Sequence, residues 1–276
     1  MNYKIENNAI IFPKTEDFDA KSILECGQLF RYFETESGYE VITGKHKAFI
    51  REVGQNVIIE TDEPQIFIDY FDLNTDYGEI KKVLKQYPIL NDAIEFGKGI
   101  RIIKGEPEEV ILQFIISQNN NIKRIQKIIE KMSELGENID NNHKSFPTAK
   151  VLSMQPFEYF QTLGAGYRDF YLYEASKRLS EINISEIKKL NDEDLLKWLL
   201  SFKGIGHKVA ACIMLFGFNR ISSFPVDTWI EKVYREYFYD GEKSRQQISL
   251  FLQDKFGVMS GITQQYLFYY FRSNRK

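Results

Sequence analysis

The six residues Lys203-Gly-Ile-Gly-His-Lys208 are the part of the sequence best suited to chemistry. Two glycines flanking one apolar residue suit a tight turn between two helices. Glycine reaches positive φ and lets a ligand's backbone come close, while Ile205 plugs the joint between the helices. One helix ending near Phe202 and another starting near His207 would leave free backbone N–H groups aimed at one spot, beside a helix end that carries partial positive charge. That is an anion site, and a DNA phosphate is a natural occupant. Lys208 falls in the first turn of the second helix. The helix N-terminus and desolvation both disfavour its ammonium form, so its amine is suited to nucleophilic attack. Ala211 and Cys212, three and four residues on, keep the same face small and leave room for a substrate.

Nineteen residues after Lys208 comes Asp227, in Phe224-Pro-Val-Asp-Thr-Trp229. Pro225 is a good helix start, which predicts Asp227 in the first turn of that helix. A carboxylate there caps backbone N–H groups and stands near a developing cation. Each feature also has a plainer reading. A Gly-x-Gly turn is most often only a turn, a lysine at a helix start is usually solvated, and an aspartate after proline is usually a cap. The ordered combination is more specific than its parts.

The elements that must position these residues change type along the chain. Leu29–Thr35, Tyr39–Thr43, Lys47–Arg51 and Val57–Thr61 are short, alternating and rich in β-branched and aromatic residues, with Gly38, Gly44 and Gly54 between them. They predict an antiparallel meander. From about Glu63 the apolar spacing becomes helical, with segments at 64–71, 80–84, 107–118, 121–134, 155–163, 168–181, 193–202, 207–217, 225–238, 244–255 and 261–272. The polar stretch Glu137–Phe146 reads as an exposed loop. The fold class expected is α+β. An antiparallel β-rich domain with short helices occupies residues 1–86, and an all-α domain occupies 87–276, with the helical hairpin near 193–217.

Composition narrows the function classes. A chain of 276 residues is one large domain or two small ones, and 43% hydrophobic content supplies a real core. Cys26 and Cys212 are too few for a disulfide framework or a cysteine-ligated iron–sulfur cluster, and three scattered histidines form no ligand cluster. The apolar runs are too short to cross a bilayer, and the N-terminus lacks the pattern of a signal peptide. A net charge of −3 argues against a nucleic-acid partner, because phosphates reward Lys and Arg. The charge is unevenly divided, however. Residues 1–86 hold ten basic and sixteen acidic residues, a net of −6, and the remainder carries +3. A basic face in the second part is compatible with that division.

The hairpin with its Pro-Val-Asp resembles the helix-hairpin-helix plus Gly/Pro-Asp motif of base-excision DNA glycosylases. More narrowly, the chain resembles the 8-oxoguanine DNA glycosylase/AP lyases of the eukaryotic type, in a prokaryotic form. Ser117-Gln-Asn-Asn-Asn-Ile-Lys-Arg124 is similar to that family's Asn-Asn-Asn-Ile-x-Arg stretch, and Gly164-Ala-Gly-Tyr-Arg168 to its Gly-x-Gly-Tyr-Arg loop. Cys26-Gly-Gln-Leu-Phe-Arg31 is similar to its Gly-Gln-x-Phe-Arg turn, and Gln264-Gln-Tyr-Leu-Phe268 to its C-terminal Gln-x-x-x-Phe pair. The matches run from Gly27 to Phe268, nearly the whole chain.

The resemblance implies a bifunctional base-excision-repair enzyme. It would flip 8-oxoguanine out of duplex DNA, excise it through a Schiff base on Lys208, and nick the strand by β-elimination. Asp227 would stabilise the cation developing on the sugar. Tyr167 would fill the gap in the helix, and Asn119, Arg124 and Arg168 would hold the orphaned cytosine. Cys212 and Phe268 would sandwich the flipped purine, and Gln264 would bond its Watson–Crick edge. Gly27 would offer its carbonyl to the N7 hydrogen that guanine lacks. Gly204, Gly206 and Lys203 would meet a DNA phosphate.

Taken singly, Cys212 and Phe268 are ordinary packing residues, Asn119–Asn121 a helix cap, and Arg168 a partner for Asp169 or a neighbouring carboxylate. Three departures stand out: Trp229 replaces a histidine, Phe271 an aspartate that touches the purine, and Lys203 a proline. No metal or diffusible cofactor is implied, although hairpin carbonyls are a place for a structural cation. The expected partner is double-stranded DNA containing oxidised guanine, with no membrane. The simplest assembly is a monomer, and the expected location is the cytoplasm, on the nucleoid. Two other readings compete. A non-catalytic helix-hairpin-helix DNA-binding module leaves Lys208 and Asp227 unexplained, and a glycosylase for another damaged base typically lacks the lysine.

Overall fold

The computed structural model describes residues 1–274. Its strands are β1 (Lys4–Glu6), β2 (Ala9–Pro13), β3 (Tyr32–Thr35), β4 (Gly38–Thr43), β5 (His46–Val53) and β6 (Asn56–Glu60). They form a six-stranded sheet in the order β1-β2-β6-β5-β4-β3. The run β3 to β6 is the meander expected. The β1–β2 hairpin was not anticipated. Its turn, Asn7-Asn8, takes φ of 47° and 59°, which is the backbone of a two-residue hairpin and a readable signal. The first meander strand begins at Tyr32 rather than Leu29; Leu29, Phe30 and Arg31 are buried outside it.

Helix α1 (Ala20–Glu25) lies between β2 and β3 in the chain, and α2 (Pro64–Tyr70), α3 (Tyr77–Leu84) and α4 (Pro88–Phe96) follow the sheet. Then come α5 (Pro107–Ser117), α6 (Ile122–Ser133), α7 (Ala149–Ser153), α8 (Phe157–Thr162), α9 (Arg168–Ser180), α10 (Ile184–Ile187), α11 (Asp192–Leu200) and α12 (His207–Phe216). The last three are α13 (Thr228–Val233), α14 (Arg245–Phe256) and α15 (Ser260–Asn274). Among the described residues, only an isolated bridge between Asn138 and Lys144 adds β structure after Glu60. Two compact units result. One comprises Met1–Leu29, Ile50–Lys104 and the chain from Asn219 on; the other comprises Phe30–Phe49 and Gly105–Phe218.

In the first unit, Arg101 is fully buried and is satisfied by carbonyls. It donates to Phe71 (2.8 Å), Asp17 (2.8 Å), Thr75 (2.9 Å) and Asp72, and its guanidinium lies 4.1 Å from the Tyr77 ring centroid. A guanidinium has five donors and no acceptor, so carbonyl partners suit it. Tyr77 in turn accepts from the Ile102 amide at 2.8 Å. This joins α3 to the strand-like segment after α4.

Two local expectations need correction. The third-last helix starts at Thr228, not Pro225. Asp227 is its N-cap, with Oδ1 accepting from the Trp229 (2.9 Å) and Ile230 (3.0 Å) amides. Pro225 sits in the extended approach, and beyond Val233 the helix widens into a π-helical turn over Tyr234–Phe238. The Glu137–Phe146 loop is exposed only in part, since Ser145 and Phe146 are buried. The Phe146 amide donates to the Gly44 carbonyl (3.1 Å), and Asp140 takes the Lys47 ammonium at 2.7 Å. A polar loop is therefore pinned at Phe146 and at Asp140.

The second unit carries a buried carboxyl, Glu109 on α5. It accepts from the Gly44 amide (2.6 Å) and from Gln113 (2.7 Å). Burial pushes its pKa up to about 7, against the pull of Arg31 and the Gly44 amide. Between about pH 4.5 and 7 the folded state then holds a proton that the unfolded state has lost, so stability falls as pH rises through that window, by at most about 3 kcal/mol. Thermal melts of the wild type should lose roughly 5–10 °C between pH 5 and 8. In Glu109→Gln that slope should flatten, which melting curves of both proteins across this range would check.

Candidate functional site

Helix α11 is capped by Asn191, whose side chain accepts from the Asp194 amide at 2.9 Å, and it buries Leu195 and Leu199. It ends at Leu200, two residues before the expected Phe202. The turn to α12 holds Gly204 at φ +83°. A Cβ there would overlap the Tyr171 ring of α9, so both the backbone angle and the close packing require glycine. Ile205 is 5% exposed and fills the joint. Gly206 is the N-cap of α12 and faces open space, and no side chain caps this helix. The first amides of a helix have no intrahelical acceptor.

Lys208 is the second residue of α12, with its ammonium 5.9 Å from the Phe114 ring centroid. Cys212, one turn on, is buried. Lys203 pairs with Glu174 at 3.3 Å on the surface and lies 4.8 Å from the Phe170 ring centroid. An exposed pair of this kind is worth little and yields readily to a phosphate.

The second unit also brings together Asn119, Arg124, Tyr167 and Arg168. Asn121 caps α6, accepting from the Arg124 amide at 3.0 Å. Asn119 has φ +43° and its amide reaches the Tyr167 hydroxyl at 3.4 Å. Exposed Arg124 donates to the Gly164 carbonyl at 2.9 Å. Arg168 behaves differently, being 3% exposed. It donates to the carbonyls of Ala165 (2.8 Å), Asn119 (3.1 Å) and Gln118, and its guanidinium lies 4.3 Å from the Tyr167 ring centroid. Arg168 therefore staples the 118–119 and 164–167 loops together and supports the exposed Tyr167 ring. Its hydrogen-bonded partners are these carbonyls rather than the Asp169 carboxylate.

The first unit holds Asp227, Gly27, Gln264 and Phe268. Gly27 has φ +89°, and a Cβ there would lie 2.9 Å from Arg272 Nη1 and 3.7 Å from the Phe268 ring. The Cys26 carbonyl accepts from Gln265 at 2.9 Å. Gln264 is buried, and its Oε1 has no hydrogen-bond partner. An unpaired buried acceptor costs roughly 1–3 kcal/mol, which makes it a natural place for a ligand donor. Phe271 is buried against Tyr237 at 5.7 Å between ring centroids. Two residues were missed by sequence reasoning, Tyr171 behind the hairpin and Arg272 beside Gly27. Arg272 had a signal, since positions 264, 268 and 272 share one helix face.

Among the described residues, no group of three or more His, Cys, Asp or Glu is arranged to hold a metal ion. No helix is long and apolar enough to cross a membrane.

Residues 10–111 match the family model described as 8-oxoguanine DNA glycosylase, N-terminal domain. The chain is similar to the 8-oxoguanine glycosylase/lyase of Clostridium acetobutylicum, solved with double-stranded DNA containing cytosine opposite 8-oxoG. The two share 37% identity and a TM-score of 0.92, covering 100% of this chain and 99% of the other. It is also similar to MBOgg1, solved with a low-affinity DNA ligand, at 34% identity and a TM-score of 0.92, covering 100% and 99% of the two chains. The N-glycosylase/DNA lyase of Saccharomyces cerevisiae is 29% identical, over 88% of this chain and 74% of its own.

The two arginines should separate in stability. Arg168→Ala strands several carbonyls and should cost about 2–3 kcal/mol, while exposed Arg124→Ala should cost less than about 1 kcal/mol. Denaturant melts of both variants would check this.

Proposed function

Since the chain belongs to the 8-oxoguanine DNA glycosylase/lyase family, we propose that it excises 8-oxoguanine from duplex DNA opposite cytosine and then nicks the strand at the resulting site. What carries this reading is a lysine in the first turn of an uncapped hairpin helix, in a chain that matches glycosylase/lyases from end to end. The α12 amides would grip a phosphate next to the lesion, with Gly206 letting the strand approach and Lys203 adding charge. Tyr167 would enter the stack as the damaged nucleotide leaves it. The exposed Arg124 guanidinium, together with Asn119, would meet the acceptor edge of the orphaned cytosine, in loops held in shape by Arg168.

In the base pocket, the Gly27 carbonyl would accept the N7 hydrogen of 8-oxoguanine. Guanine presents an acceptor at N7 and would leave two acceptors facing each other. Gln264 Oε1 would take a donor from the Watson–Crick edge, which supplies the partner it lacks. Phe268 and Cys212 would cover the two faces of the ring.

The neutral Lys208 amine would then add to C1′ as the bond from C1′ to the base breaks, with the electron pair leaving on the base. Asp227 would stabilise the positive charge that builds on the sugar. Loss of a proton from nitrogen and opening of the sugar ring give the Schiff base. Loss of a C2′ proton then expels the 3′ phosphate. Lysine supplies the nucleophile, so no diffusible cofactor or metal is needed. The same reading places a monomer in the cytoplasm, on the nucleoid.

Incubation with an 8-oxoguanine:C duplex and borohydride should trap a covalent adduct that disappears in Lys208→Gln. A wild type that neither traps nor nicks would leave only a DNA-binding hairpin. Arg124→Ala should narrow the preference for cytosine over the other opposite bases by about tenfold or more, since one good base contact is worth ~1–3 kcal/mol. Excision rates on the four duplexes would measure this.

A further inference from the structure

One residue outside those assignments lies against both the Gly27 turn and the Phe268 ring. Arg272 on α15 donates through Nη2 to the Glu25 carbonyl at 2.7 Å. Its Nη1 occupies the space beside Gly27, 2.9 Å from where a Cβ would stand. Its guanidinium carbon lies 5.0 Å from the Phe268 ring centroid and 5.8 Å from that of Tyr269. A guanidinium can do all of this at once, because it donates in its plane while aromatic rings pack on its faces. Gln264, Phe268 and Arg272 recur every four residues, so one helix face carries the recognising amide, the stacking ring and this cation.

We propose that Arg272 is a positioning residue for the damaged-base pocket, locking the Gly27 turn and the Phe268 ring to each other before the base arrives. The proposal rests on the reading that Gly27 and Phe268 face the flipped purine. Gly27 sits at a φ that glycine alone adopts freely, and it is the residue with most conformational freedom to lose. Phe268 is only half-buried. Left to themselves, both would be ordered at the expense of base binding, and a misplaced carbonyl would no longer distinguish the N7 hydrogen. The glycine at position 27 then has a second reason to exist. Any side chain there would displace the guanidinium.

Arg272→Ala and Arg272→Lys test this against the wild type, using two reactions in the same preparations: single-turnover release of 8-oxoguanine from an 8-oxoguanine:C duplex, and nicking of a preformed abasic site. The abasic substrate presents no base to the pocket. In Arg272→Ala, base release should fall at least tenfold further than nicking, and lysine should recover only a minor part, having a point charge and no fork. Equal losses in the two reactions, no loss in either, or full recovery by lysine would overturn the proposal. A second readout needs no catalysis. With 4-fluorophenylalanine at position 268, the DNA-free protein should give one narrow fluorine resonance that shifts or broadens in Arg272→Ala. An unchanged line overturns the clamp. A wild type that releases no 8-oxoguanine overturns the proposed function, while the fluorine spectra still decide the role of Arg272.

Discussion

A helix that begins without a cap is the constraint from which the hairpin's other features follow. Several other helices satisfy their first amides with side chains of their own. Asn121 does so for α6, Asn191 for α11, Asp227 for α13, and Ser244 for α14 in a reciprocal pair with Gln247. At α12 the N-cap is Gly206, which has no side chain to give. No side chain caps its first amides, and in the proposed reading a phosphate supplies both the oxygen and the charge that the helix end favours. This reconciles DNA binding with a net charge of −3. Backbone donors add nothing to the count of basic residues. The surroundings serve the same end. Ile205 anchors the turn, and Tyr171 packs under Gly204 while meeting Tyr167 edge-on at 6.0 Å between ring centroids. One α9 side chain thus packs against both the hairpin turn and the Tyr167 ring.

Much of this was legible in the sequence because the signals are local. The helical period placed α5, α6, α9 and α12 within a residue or two of their observed ends, and the β meander was marked by its glycines. The Lys203–Lys208 turn, the Asn119–Arg124 stretch and the Gly164–Arg168 loop each carry their chemistry in a few consecutive residues. What escaped depends on contacts distant in sequence. Nothing near Arg168 tells that its donors are spent on carbonyls about fifty residues away. Nothing near Ser145 or Phe146 tells that a polar loop ends in the core. The start of α13 was misplaced for a different reason. Proline marks a helix start only when it is the first helical residue, and here the cap competes with it and wins two residues later.

The departures from the family pattern also take on physical meaning. Phe271, where an aspartate was expected, is buried among aromatic rings and presents no polar atom. In the proposed reading, Gln264 Oε1 and the Gly27 carbonyl carry the polar recognition of the purine edge in that part of the chain. A pocket with fewer hydrogen bonds relies more on the placement of those that remain, and that placement is the office we assign to Arg272.

The Arg272 and Gln265 contacts join segments far apart in the chain. The bond from Arg272 to Glu25 spans 247 residues, and the bond from Gln265 to Cys26 spans 239. Closing a loop of that length costs roughly 5 kcal/mol of chain entropy, and such contacts form late in folding. During synthesis the Glu25–Gly27 segment emerges early and must wait for the final helix before it has anything to close against. The contacts around Gly27 are therefore completed only once α15 has been made. In the proposed reading, a chain cut short before Ser260 would keep the α11–α12 hairpin and lack Gln264, Phe268 and Arg272, the side chains assigned to reading the base.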